Sequence, residues 1–276
     1  GNSPGGSIKT LRKDGFQLEL GANSLLLRNT GRELLKRLGL RPVVVPKGGM
    51  RRYLALPVAG EERLIEVPLN PLSFATSPIL SAAAKLRVFR EPFSPRPLME
   101  DRSVAEFVSD RLGPEVATRM IAPLFSGIYA SDISKLSART ALSALYQFEQ
   151  EHGSILLGAI RGRKGPKKKR GRMEMANFTG GLSDLISTLA DRLGDKLKLN
   201  SPVHSIDLSR RPYRLSGAFG EIETERLVIT TDALTTAGLI GGELNESLSA
   251  LPYSPVGLLY LSVDTTVALN GVGFLC

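Results

Sequence analysis

Few residues in this chain of 276 can do covalent chemistry unaided. The two histidines, His152 and His204, stand far apart with no ligand spacing, and the one cysteine, Cys276, has no second thiol. Those counts exclude an internal disulfide framework and a Cys-based zinc site, and the histidines read as structural. No side chain stands in a pattern that marks an activated nucleophile with its base. Small residues recur instead: Gly5-Gly6-Ser7, Gly21-Ala22-Asn23-Ser24, and "FSGIYASD" from Phe125 to Asp132. By spacing alone the glycines read as turns, although their backbone also allows close approach of a ligand.

Arg52, in "MRRYLAL", reads by itself as a solvated hairpin arginine. The net charge of +9 is local, because "RGRKGPKKKRGR" (Arg161 to Arg172) carries eight basic residues and no acid. Such a block reads first as a solvated loop and second as a contact for anionic lipid headgroups. Nucleic acid comes last, since the charges have no interleaved aromatics and the chain has no Trp. No apolar run reaches the ~18 residues needed to span a bilayer, and a single cysteine fits a reducing compartment.

Periodicity supplies the elements that must hold these residues. Ile8–Arg12 and Phe16–Leu20 read as strands around a turn at Lys13-Asp14-Gly15. "NTGRELLKRLGL" reads as a helix with a Thr30–Glu33 capping box, a face of Leu34, Leu35 and Leu38, and a stop at Gly39. Arg52–Leu56 and Arg63–Val67 read as a hairpin. From about residue 70 to 160 the texture is helical. Ser103 with Glu106 forms a second capping box ahead of a core face of Val104, Phe107, Val108 and Leu112. Helices follow over Pro114–Phe125, over Ala138–His152 with Ser137 as N-cap, and from Ile155. After the basic tract come the helix "GGLSDLISTLADRLG" and the strands "KLKL", "PVHSIDL", "RLVITT" and a buried "SPVGLLYLSVD". Strand–helix material therefore flanks a helical insertion.

"GGSIKTLRKDGFQLELGANSLLL" resembles the segment after the dinucleotide-binding unit of FAD-dependent oxidases of the amine-oxidase superfamily. "EFVSDRLGPEVATRMIAPLFSGIYASDISKLSARTALSALYQFEQEHGSILLGAI" narrows this, and resembles the protoporphyrinogen oxidase family. "NFTGGLSDLISTLADRL", "LPYSPVGLLYLSVD" and "GVGFLC" continue the likeness in order. The resemblance implies an α/β (α+β) fold: a Rossmann-like, two-domain FAD/NAD(P)-binding flavoprotein with a mostly helical insertion, truncated at both ends. The family's G-x-G-x-x-G turn is not found, since "GLIGGE" near Gly238 has neither its spacing nor a preceding strand. The chain starts with "GNSPGG" in place of Met and is expected to be a piece of a longer polypeptide that holds flavin weakly alone. The expected domains are 1–48 and 176–240 for FAD, 49–68 and 241–276 for substrate, 69–165 as the helical insertion facing substrate and membrane, and 166–175 as a basic linker.

By the same resemblance Gly5, Gly6 and Ser7 lie against FAD, Gly21, Ala22, Asn23 and Ser24 run beneath the flavin ring, and Val203 meets the adenine end. Arg52 pairs with a propionate of the substrate, a role that suits the planar guanidinium fork. Gly127, Ala130 and Ser131 line the macrocycle cavity, with Ser131 standing where the family usually has Gly. Asp132 fixes the turn, and Tyr129 is a packed aromatic. The implied reaction is oxidation of protoporphyrinogen IX to protoporphyrin IX by FAD and molecular oxygen, with no catalytic side chain assigned. The implied partners are the porphyrinogen, oxygen, an anionic membrane surface and a second copy in a homodimer, without nucleic acid. The implied location is cytoplasmic, peripheral on the membrane face. Coproporphyrinogen III oxidation is the near alternative; a non-enzymatic basic module docking on membrane or nucleic acid is the alternative from another class.

Overall fold

A computed structural model describes residues 1–45, 51–58, 60–95, 101–162, 174–263 and 273–276. The basic tract beyond Gly162, and with it nearly all of the expected linker, lies outside them. Two compact units are present. The first comprises Gly1–Val44, Arg172–Tyr253 and Gly257–Leu261, and the second comprises Val45–Gly171, Ser254–Val256 and Ser262–Cys276. Residues 241–253, expected with the substrate part, thus group with the first unit.

In the first unit β1 (Thr10–Lys13) and β2 (Phe16–Glu19) form an antiparallel hairpin. Its turn places Asp14 at φ 52 and Gly15 at φ 82, the left-handed conformations that Asp and Gly accept best. A second sheet pairs β3 (Leu25–Leu27) and β4 (Val43–Val44) with β7 (Glu174–Asn177). Between them α1 (Asn29–Leu38) ends on Gly39 at φ 73. The Thr30–Glu33 capping box does not form: the helix starts at Asn29 with Arg28 as an unassisted cap, and Glu33 pairs with Arg37 at 2.6 Å. Of the expected leucine face, Leu35 is buried while Leu34 is 46% exposed. Leu27, Leu35, Ala176, Phe178 and Leu182 make this unit's core, against α10 (Ser183–Leu193).

A third sheet in this unit, β8 (Val203–Asp207), β9 (Tyr213–Gly217) and β10 (Gly220–Thr224), corrects the strand reading. "PVHSIDL" is a strand as expected, but "KLKL" and "RLVITT" are not, and the hairpin beside β8 comes from residues 213–224. "SPVGLLYLSVD" belongs to no strand and is exposed over its described part, with Val256 at 71% and Leu259 at 83%. A strand needs a neighbour to take its N–H and C=O groups, and none of the described residues offers one to these three segments. The helices α11 (Ala233–Ile240) and α12 (Glu243–Ser249) complete the unit, and "GLIGGE" runs from the end of the first into the second.

The second unit pairs β5 (Arg52–Val58) with β6 (Glu61–Glu66) and, in parallel, with β11 (Gly273–Leu275). The α-helices of this unit among the described residues are α2 (Pro71–Thr76), α3 (Ala82–Arg90), α4 (Val104–Arg111), α5 (Pro114–Val116), α6 (Ala122–Tyr129), α7 (Ala138–Ala141), α8 (Ser143–His152) and α9 (Ile155–Gly162), and their buried side chains share a core with Leu54 and Leu56 of β5. The Ser103–Glu106 capping box is present, and Val104, Phe107 and Val108 are fully buried. The expected helix over Pro114–Phe125 contains a π turn at Ala117–Ile121, a local widening that shifts the facing of everything after it.

Candidate functional site

In the first unit the hairpin pairing runs on through Leu20 N–H to Lys9 C=O at 2.8 Å. The strand ends therefore meet, and a Cβ on Gly21 would overlap the carbonyl oxygen of Ser7. Gly5 and Gly6 adopt φ 104 and 58, which side-chain-bearing residues rarely reach. A Cβ on Gly5 would stand 2.9 Å from Ile186 Cγ2 of α10, whereas nothing lies within 4 Å of one on Gly6. The Gly6–Ser7 main chain thus forms an open, exposed edge beside the 21–24 turn. Gly1 C=O accepts from Asn200 N–H at 2.9 Å, which ties this turn to the chain three residues before half-exposed Val203.

A polar hub lies under these turns. The buried carboxylate of Glu19 accepts from Thr10 Oγ1 at 2.8 Å, Asn177 Nδ2 at 3.0 Å and Leu182 N–H at 3.0 Å. Leu182 stands at the start of α10, where backbone donors have no helical partner. Asn177 Nδ2 also donates to Asn23 C=O at 3.2 Å, and the Tyr260 hydroxyl donates to Glu19 C=O and to Asn23 Oδ1. The hub was not anticipated from sequence. Its one visible signal is an acid on the last residue of a strand otherwise ready to be buried or solvated like any hairpin.

In the second unit, a cavity of about 630 Å³ opens beside the "FSGIYASD" passage. Thr118, Ala122, Ser126 and Ala130 line it together with Ala55 and Pro57 of β5. The first four of these small residues recur at four-residue spacing, a pattern legible in the sequence but not singled out. Ser131 and Ala130 are on its lining; Ala130 caps α6 at φ 49, with its N–H on Ser126 C=O at 2.9 Å. Gly127 does not: its bare Cα accommodates Leu275 of β11, into which a Cβ would collide. Arg52 lies at the exposed start of β5, three residues before the cavity wall begins at Ala55. Asp132, the one charged residue on the lining among the described residues, fixes its turn by accepting from Ser134 N–H at 2.9 Å. That hydrogen bond holds its carboxyl below the usual range. Tyr129 stacks on Phe125 with ring centroids 5.2 Å apart. Cys276 also lines the cavity, a position for which the sequence held no signal.

No group of three or more His, Cys, Asp or Glu able to hold a metal exists among the described residues. Comparison with known proteins identifies a cofactor. The profile of the flavin-containing amine oxidoreductases matches residues 1–274. The chain belongs to this family. Its cofactor is FAD, and the bare glycine backbone on the Gly6–Ser7 edge, with exposed Ala22 and Asn23 beside it, fits such a group. Coproporphyrinogen III oxidase of Bacillus subtilis (strain 168) is 29% identical, over 98% of this chain and 58% of that protein. Protoporphyrinogen oxidase 1, chloroplastic, of Arabidopsis thaliana is 31% identical, over 94% of this chain and 51% of that protein. Among solved structures, putrescine oxidase superposes with a TM-score of 0.56 at 17% identity, covering 86% of this chain and 52% of that one. That likeness shows an α/β flavoprotein fold. The chain spans about half the length of the curated relatives it matches.

Proposed function

We propose that this chain is the substrate-holding part, with a portion of the cofactor-holding part, of an FAD-dependent oxidase acting on a porphyrinogen. Bound FAD would accept hydride equivalents from the macrocycle. The chain's own residues hold and orient. Gly5, Gly6, Ser7 and the Gly21–Ser24 turn present backbone N–H and C=O groups to the cofactor without intervening side chains, and Val203 meets its nucleotide end. The small-residue wall at Thr118, Ala122, Ser126, Ala130 and Ser131 accepts an apolar plate, and Arg52 pairs with a carboxylate at its edge.

The cavity carries this reading. Its volume, about 630 Å³, lies within the span of about 300–1,000 Å³ common to small-molecule sites. Its lining is mostly small, with Thr118, Ser126 and Ser131 among apolar neighbours and one engaged carboxylate, which leaves room for a flat ring and supplies no acid–base dyad. Protoporphyrinogen IX, with oxygen as acceptor, is the main substrate proposed. Coproporphyrinogen III is the second, favoured by the Bacillus subtilis relative matched along 98% of this chain. Giving both porphyrinogens to one flavin-loaded preparation and following oxygen uptake separates them. A preparation that leaves both unchanged rejects the reading.

The proposal extends to location: peripheral contact with an anionic, cytoplasmic membrane face. No helix among the described residues is long and apolar enough to cross a membrane. Leu69, Leu72, Phe89 and Phe93 are exposed at 83%, 76%, 58% and 88% around α2 and α3, with Lys85 and Arg90 in the same segment. Amphipathic segments of this kind bind interfaces through apolar side chains and neighbouring cations. Co-sedimentation with anionic and neutral vesicles tests it, and equal recovery with both kinds rejects the electrostatic part. The family match leaves the reading as a basic docking module without support.

A further inference from the structure

In the second unit four ionisable side chains are almost wholly sealed from solvent: Glu91, Arg102, Arg111 and Glu149. Arg102 donates through Nη2 to both oxygens of Glu149, each at 2.8 Å, and through Nη1 to Asp110 at 3.0 Å, while its guanidinium lies 4.9 Å from the Phe107 ring centroid. Arg111 Nε stands 3.4 Å from Glu149, and its Nη2 donates to Glu91 and to Gly153 C=O. Glu91 in turn receives Ser154 Oγ at 2.5 Å, Ile155 N–H at 2.9 Å and Leu156 N–H at 3.1 Å, which caps α9 from outside its own segment. The two ends of this network thus serve different places.

The Arg102 end serves the cavity. Arg102 C=O accepts from Ala138 N–H at 2.8 Å. The next residues begin α4, whose first amides have no helical acceptor. Val104 N–H donates to Leu136 C=O at 2.8 Å and Ala105 N–H to Ile133 C=O at 3.0 Å. Asp101 adds Ser137 Oγ at 2.8 Å. The turn carrying Ala130, Ser131, Asp132 and Ile133, four residues of the cavity lining, is therefore hung on the start of α4. The start of α4 is in turn anchored by the guanidinium of Arg102, whose Nη2 reaches both oxygens of Glu149 while Nη1 holds Asp110.

We propose that Arg102 and Glu149 are positioning residues for the ligand cavity: their buried ion pair fixes the start of α4, which sets the place of the 130–137 wall through backbone hydrogen bonds. The inference rests on the porphyrinogen reading only for what occupies the cavity. A lysine at 102 keeps the charge but loses the planar fork, so the wall should loosen without loss of the buried cation.

The test uses the full chain and three variants, Arg102→Lys, Glu149→Gln and Glu91→Gln. Amide hydrogen exchange is read at Val104, Ala105 and Ala138, and protoporphyrin IX affinity by fluorescence titration. Arg102→Lys and Glu149→Gln are expected to speed exchange at these three amides by about tenfold and to weaken porphyrin binding by a similar factor. Glu91→Gln breaks the other end of the same network; it is expected to lower thermal stability comparably, to expose amides at the start of α9, and to leave the wall amides and porphyrin affinity unchanged. If all three variants move the wall amides alike, or the first two leave them unmoved, the proposal is overturned. If the exchange pattern holds while the unaltered chain binds no porphyrin, the positioning stands and the porphyrinogen reading fails.

Discussion

The carbonyl oxygen of Ser7 occupies the place where a side chain on Gly21 would begin. Two turns separated by a whole hairpin are thereby in backbone contact, and both border the open edge proposed for the cofactor. Gly21→Ala forces them apart and is expected to cost about 1–3 kcal/mol, as overpacking does. Gly6→Ala has free space around it, and its φ of 58 limits the cost to about 1 kcal/mol. Urea unfolding midpoints measure both, and equal midpoints would show that the contact is not formed.

Glu91 gives the second unit a defined response to acid. Burial raises its carboxyl pKa, but Ser154, the amides of Ile155 and Leu156, and Arg111 outweigh burial and hold it below the ordinary value. Because the folded pKa is depressed, this stabilisation is present above the unfolded value, about 4.3, and is lost as pH falls through the folded value. Glu91→Gln removes the effect. The loss of stability on acidifying from pH 5 should be shallower in the variant, as read by thermal melts across that range.

Ala130 caps α6 in a left-handed conformation at φ 49 without being glycine. Ala130→Gly relieves that strain and is expected to raise stability by about 1 kcal/mol. A lower melting temperature for the variant would contradict the observed backbone.

Phe107 is fully buried in the larger core, beneath Arg102 and beside Tyr146. Phe107→Ala should cost about 3–5 kcal/mol, most of the stability of a small domain, and is checked by denaturant titration. Leu72→Ala, on a side chain 76% exposed, should leave stability unchanged and reduce vesicle binding.

The helical block was the most legible part of the sequence. Ser103, Glu106 and Ser137 cap where their spacing said they would, because those signals are local side-chain-to-backbone bonds. Thr30 and Glu33 had the same spacing and failed, since α1 begins before Thr30 and places it inside the first turn. Strands were less legible: "KLKL", "RLVITT" and "SPVGLLYLSVD" carry strand-like composition, but pairing depends on partners elsewhere in the chain. The resemblance gave Ala130 and Ser131 to a macrocycle cavity, and in the structure both line the pocket beside α6. Gly127, given to the same cavity by resemblance, has its bare Cα against Leu275 of β11. Glu19, Arg102 and Glu149 escaped notice because a buried charge looks like a surface charge until its partners, up to 163 residues away, are known.

The central claim is that the small-residue cavity receives a porphyrinogen for oxidation by FAD. The most direct measurement is oxygen uptake, together with the appearance of porphyrin fluorescence, by the full product of the gene loaded with FAD. Each porphyrinogen is supplied in turn, beside an Ala122→Trp variant that fills the cavity. The account predicts turnover of at least one porphyrinogen by the unaltered protein and its loss in the variant with FAD still bound. A flavin-loaded protein that leaves both porphyrinogens reduced, or a filled cavity that turns them over as before, would contradict it.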